Sequence, residues 1–111
     1  MEQEDLLFTH KGLFCIEKPS GFTLKGNMSK GSIKLTNKNL TFIYSGGDEF
    51  NLPLTDISKV EKVTRRMYTM MRVYNTEGKF YTFWAANLSG NQYLGGNTNQ
   101  LIPLLENELR K

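Results

Sequence analysis

The residues with the most chemical potential in this chain are one histidine and one cysteine, His10 and Cys15, five positions apart. A thiol beside an imidazole base is a nucleophile in the making. Here, however, Cys15 alternates within the apolar run Leu13-Phe14-Cys15-Ile16, where a thiol behaves as a small hydrophobe, and no Asp or Asn is placed nearby to orient the ring. One cysteine forms no internal disulfide, and one histidine with it builds no Cys/His zinc site. The carboxylates offer no acid–base pair: Asp48-Glu49 falls in a turn, and Glu106 and Glu108 are two apart on a helical pattern, so they do not share a face. Gly95-Gly96 stands ahead of that helix as a phosphate cradle would, but no Gly-Lys-Ser/Thr or dinucleotide fingerprint accompanies it, so it reads as a hinge. No catalytic residue, metal ligand or cofactor is expected, and the chain does not read as an enzyme.

The cations say more. Fourteen Lys and Arg against eleven Asp and Glu leave +3, too little to argue for nucleic acid on bulk charge, and the phenylalanines alternate as core residues and not as stacking platforms. The charge is uneven. Lys11, Lys18, Lys25, Lys30, Lys34 and Lys38 face only Glu17, a local +5, and Lys59, Lys62, Arg65, Arg66 and Arg72 face only Glu61, a local +4. If the two segments meet in space, Lys18, Lys25, Lys30, Lys34, Arg65 and Arg66 make a face for an anionic ligand. The alternative is that these lysines occupy the solvated positions of alternating strands. A second candidate surface is Met67, Tyr68 and Met70 together with Tyr93, since methionine and tyrosine suit an adaptable protein contact. Against that, the methionines also fit the core of a strand pair with a bulge.

With 111 residues, 39% of them hydrophobic and 23% charged, the chain fits one domain, 1–111. Its patterning has period two almost throughout. After a lead-in at 1–11, strand-like runs fall around 13–16, 22–24, 32–36, 40–44, 50–54, 57–63, 71–74 and 80–84, and together they predict about seven strands within a barrel at 12–86. Pro19-Ser20-Gly21 and Gly26-Asn27 are read as turns. The clearest hairpin has Asn37-Lys38-Asn39 between two alternating runs, and Pro53 marks an edge strand or a strand end because it has no N–H to donate. Asn75-Thr76-Glu77-Gly78-Lys79 supplies another turn. Residues 87–98 read as a loop. Leu101, Ile102, Leu104, Leu105 and Leu109 then fall at helical spacing over 99–111, with Asn97 or Asn99 as N-cap and Pro103 confined to the first turn. The fold class is therefore mainly β: a small antiparallel barrel or two near-orthogonal sheets, capped by one C-terminal helix.

The segment Gly31-Ser32-Ile33-Lys34-Leu35-Thr36-Asn37-Lys38-Asn39-Leu40-Thr41-Phe42 resembles the GRAM domain, a branch of the pleckstrin-homology superfold. Phe50-Asn51-Leu52-Pro53-Leu54-Thr55-Asp56-Ile57 and Gly78-Lys79-Phe80-Tyr81-Thr82-Phe83 are similar to later segments of that family, in the same order. The resemblance covers about 12–86 and the closing helix. It implies a pleckstrin-like barrel that binds lipid headgroups or proteins without catalysis, with basic residues near the loop between its first two strands, here Lys18, Lys25 and Lys30.

The expected function is thus a binding module for an unidentified protein or peptide, self-association included. The alternative is peripheral attachment to anionic membrane lipid through the basic face. No run approaches the roughly 20 apolar residues of a membrane span, and Met-Glu-Gln-Glu-Asp is the opposite of a basic secretory leader. The expected location is the cytoplasm, including the inner face of its membrane.

Overall fold

The computed structural model describes residues 4–16, 29–65, 68–85, 87–89, 92–94 and 97–111, with the backbone alone at 65, 68, 87–89 and 92–94. The expected 22–24 strand, the turns at 19–21 and 26–27 and the hinge at 95–96 lie outside these residues.

Seven antiparallel strands form one sheet: β1 (Leu6–Ile16), β2 (Ser29–Thr36), β3 (Asn39–Tyr44), β4 (Glu49–Pro53), β5 (Ile57–Arg65), β6 (Tyr68–Asn75) and β7 (Phe80–Trp84). Their spatial order is β4-β3-β2-β1-β7-β6-β5. The two sheets anticipated from the sequence are joined by β1. This strand pairs with β2 from Leu6 to Phe14, and with β7 from Leu13 to Ile16. Glycine permits the crossover: Gly12 faces Gly31, and a Cβ on Gly12 would stand 2.5 Å from the Trp84 carbonyl oxygen, one on Gly31 2.1 Å from that of Ile43.

Three boundaries differ from expectation. The lead-in at 1–11 is mostly strand, because Phe8 to Lys11 supply the partners of Ser32 to Leu35. The loop at 87–98 contains a second small sheet, β8 (Asn87–Ser89) paired with β9 (Gln92–Leu94). The helix α1 runs Thr98–Leu109, which puts Pro103 in the second turn and not the first. Proline there leaves the Asn99 carbonyl without its helical donor, and Asn99 is exposed, so water can serve it. Asn97 is the N-cap, but through its backbone: its N–H donates to the Ala85 carbonyl (2.7 Å), while its own carbonyl accepts from Gln100 and Leu101 (both 3.0 Å).

The core lies between the inner face of the sheet and α1. Phe14, Ile33, Leu35, Leu40, Phe42, Met71, Val73 and Phe83 meet Leu101, Ile102 and Leu105 there. Phe14 is its hub, with ring centroids 5.0 Å from Phe42, 4.9 Å from Phe50 and 4.9 Å from Phe83. Each large side chain so buried contributes ~1.5–3 kcal/mol over exposure. The strand period puts Leu13, Cys15, Met70 and Trp84 on the opposite side of the sheet, and they too are buried. Met70, at 2% exposure, is therefore core and not the protein contact expected of it. Neighbours Met70 and Met71 are both covered because β6 is buried on both faces at that point.

Candidate functional site

The outer face of β1, β2 and β3 carries a cluster of cations. Along β2 the pleat turns Lys30, Ser32, Lys34 and Thr36 outward, because Ile33 and Leu35 between them fill the core. Register then adds Lys11, which sits opposite Ser32 and so midway between Lys30 and Lys34. Cβ atoms in such diagonal positions are about 7–8 Å apart. All three lysines are exposed, and none has an ion pair among the described residues. Like charges on neighbouring strands repel, so a bound anion would relieve repulsion as well as add attraction.

Beside them is a shallow groove of about 310 Å³, lined by Lys11, Lys30, Ser32, Ile43, Tyr44 and Ser45. Burial, with Asp48 adding to it, pushes the Tyr44 hydroxyl above its ordinary range, so it stays a neutral donor. The end of the groove is set by the β3–β4 turn, where Gly47 at φ 105° takes a conformation that side chains resist, and the Tyr44 N–H donates to the Asp48 carbonyl (2.7 Å).

The second basic segment is arranged differently. Arg65 ends β5, the edge strand four places from β2 in the sheet, with β6, β7 and β1 between them. On the outer face of β5 and β6, Glu61 neutralises its surroundings. Its carboxylate takes Arg72 Nη1 and the Tyr74 hydroxyl, both at 3.3 Å, and faces Lys59 Nζ at 3.6 Å. Arg72 also lies over the Phe80 ring at 4.8 Å and Lys59 over the Tyr74 ring at 5.3 Å. These cations are already engaged.

Of the residues expected to bind an anion, the structure brings together Lys30 and Lys34 and leaves Arg65 at the far edge. Lys18, Lys25, Arg66 and Met67 lie outside the described residues, and Tyr68 and Tyr93 are placed by backbone only, at the start of β6 and in the middle of β9. Lys11 was missed as a face residue because its segment was read as a lead-in. The alternation Phe8-Thr9-His10-Lys11-Gly12-Leu13 was the available signal.

Cys15 is buried across from Thr82, and burial pushes its thiol up, against smaller opposing effects of a Thr82 hydrogen bond and the Arg72 charge. Burial and a raised thiol pKa both disfavour the thiolate. His10 Nδ1 is 2.6 Å from the Lys11 carbonyl oxygen and the ring stacks near Phe8. Among the described residues no three His, Cys, Asp or Glu gather as a metal site would need, and no helix is long and apolar enough to cross a membrane.

What these elements define is a mainly β domain with one closing helix and a cationic outer face. The C-terminal domain of an unknown protein from Leishmania infantum has a similar structure, with a TM-score of 0.68 and 15% identity, covering 97% of this chain and 86% of that one. The hSac2 domain from human phosphoinositide phosphatase Sac2 is similar at a TM-score of 0.64 and 17% identity, covering 99% of this chain and 73% of that one. Identities this low speak for a shared fold. No family model and no curated protein matches the chain.

Proposed function

We propose that this chain is a non-catalytic binding module of the pleckstrin/GRAM-like kind whose outer β1–β2 face attaches to a membrane surface rich in anionic lipid. The observation that carries the reading is the set Lys11, Lys30 and Lys34, exposed and in no direct ion pair among the described residues. A cation near an anionic leaflet is worth about 1 kcal/mol, so three supply ~3 kcal/mol, roughly a hundredfold in partitioning. That is modest, and the sequence adds Lys18 and Lys25 in the segment joining β1 to β2. A domain of similar fold occurs in a protein named as a phosphoinositide phosphatase, which is in keeping with an anionic lipid partner.

The competing protein-contact reading loses Met70 to the core. The sheet edges also argue against strand addition: β4 is short and ends in Pro53, and β5 carries Lys59, Lys62 and a bulge between Ile57 and Lys59.

Flotation with phosphatidylcholine vesicles, with and without phosphatidylserine, tests the proposal. Binding only to the anionic vesicles, weakened by salt and by Lys30→Glu/Lys34→Glu, is the expected result. Failure to float at low salt contradicts it and turns the search to protein partners.

A further inference from the structure

At one end of the cationic face the chain has placed an anion of its own. Glu4 Oε2 accepts hydrogen bonds from Thr36 Oγ1 (2.5 Å) and Asn39 Nδ2 (3.1 Å). The next residue is tied to the hairpin loop: the Asp5 N–H donates to Asn37 Oδ1 (2.8 Å), and the Asn37 N–H donates to the Asp5 carbonyl (3.1 Å). The Asn39 amide is aimed by a relay on the neighbouring strands, since Thr41 Oγ1 donates to Asn51 Oδ1 (2.7 Å) and Asn51 Nδ2 donates to Asn39 Oδ1 (3.1 Å). With its oxygen engaged, Asn39 presents its NH₂ to the carboxylate.

Thr36 continues the outer row Lys30, Ser32, Lys34, so the Glu4 carboxylate stands next in line after Lys34, about 7 Å along the strand. Lys34 and Lys38 are the cations within electrostatic reach of it. Two side-chain donors and an adjacent lysine are what a protein uses to hold an anionic group. Here the occupant is the chain's own carboxylate, and Glu4 is exposed, so the contact is open to competition by a denser array of negative charge.

We propose that the Glu4–Asp5 arm is a built-in competitor for the cationic face: clasped, it neutralises the Lys34 end, and an anionic membrane binds that end after displacing it. The proposal rests on the membrane reading of the face and adds the regulation of it.

Flotation on phosphatidylcholine/phosphatidylserine vesicles tests it with Glu4→Gln and, as a control for net charge, Glu77→Gln in the exposed β6–β7 turn. Glu4→Gln is expected to raise partitioning about fivefold, the value of one charge near the surface, and Glu77→Gln to change it little. In the unaltered chain, amide exchange at Asp5 and Asn37 is expected to quicken when the same vesicles are added. Binding that Glu4→Gln raises no more than Glu77→Gln does, or clasp amides that stay protected on the vesicle, overturns the clasp and leaves the membrane reading standing. No binding by any of the three proteins overturns both.

Discussion

The two basic segments of this chain look alike in sequence and differ in space. Counted residue by residue, Lys11 to Lys38 carries +5 and Lys59 to Arg72 carries +4. On the sheet, the second segment folds back on itself as the β5–β6 hairpin, and Glu61 comes to face Arg72 with Tyr74 and Lys59 beside it. The first segment spreads over β1 and β2, where the residue opposite Lys11 is Ser32 and the residues opposite Lys34 are Thr9 and Thr41. Among the described residues, Lys59 and Arg72 of the second region are engaged by Glu61, and Lys11, Lys30 and Lys34 of the first make no ion pair. The lesson is that charge density along a chain predicts a binding face only after strand register has decided which acids stand opposite.

The largest effect is expected at the lysines of β2. Each reversal in Lys30→Glu/Lys34→Glu changes two units of charge, about 2 kcal/mol, so the pair should cost several hundredfold in partitioning to anionic vesicles. Melting temperature should hold, because both side chains are exposed.

Glu61→Gln sharpens the contrast from the other side. It strips the charge partner from Lys59 and from Arg72, whose side chain is 23% exposed and whose buried Nε has no partner among the described residues. Stability should fall by about 1–2 kcal/mol, seen as a melting point lower by roughly 5–10 °C. The same change frees cations, so vesicle binding should rise, and a variant that melts as the parent does would show the Glu61 network to be idle. Lys59→Ala should matter less. Its side chain is 61% exposed, and a pair of that kind is worth about 0.2–1 kcal/mol.

The smallest effect is confined to acid. Hydrogen bonds from Thr36 and then Asn39 hold the Glu4 carboxyl below its ordinary value of 4.5. A folded-state value below the unfolded one stabilises the fold above the unfolded value, and that contribution is lost as pH falls through the folded value. Thermal melts of the parent and Glu4→Gln should therefore differ at neutral pH and converge in acid. A gap that persists at the acid end would remove Glu4 titration as its source.

Local sequence pattern specifies most of the architecture. The β2–β3 hairpin follows from Asn37-Lys38 between two alternating runs, and Pro53 ends an edge strand as its missing N–H requires. Leu101 and Leu105 bury on the helix face their spacing defines. What was not legible depends on long-range register. Lys11 joins the face only once β1 is seen to start at Leu6, and Glu61 meets Arg72 only once Arg65 is paired with Tyr68. Setting that register from the sequence would have found the pair. Glu4 could not have been found so: its donors are Thr36 at the end of β2 and Asn39 at the start of β3, and no local pattern links them to it.

The most direct measurement of the central claim is a salt series of vesicle flotation comparing Lys30→Glu/Lys34→Glu with Arg65→Glu/Arg66→Glu. The unaltered chain should float with phosphatidylserine-containing vesicles and be released as salt rises. The β2 reversals should abolish flotation, while reversals at the β5 end should leave most of it. Equal loss from both pairs, or none from the β2 pair, would contradict the assignment of the binding face to the exposed lysines of β1 and β2.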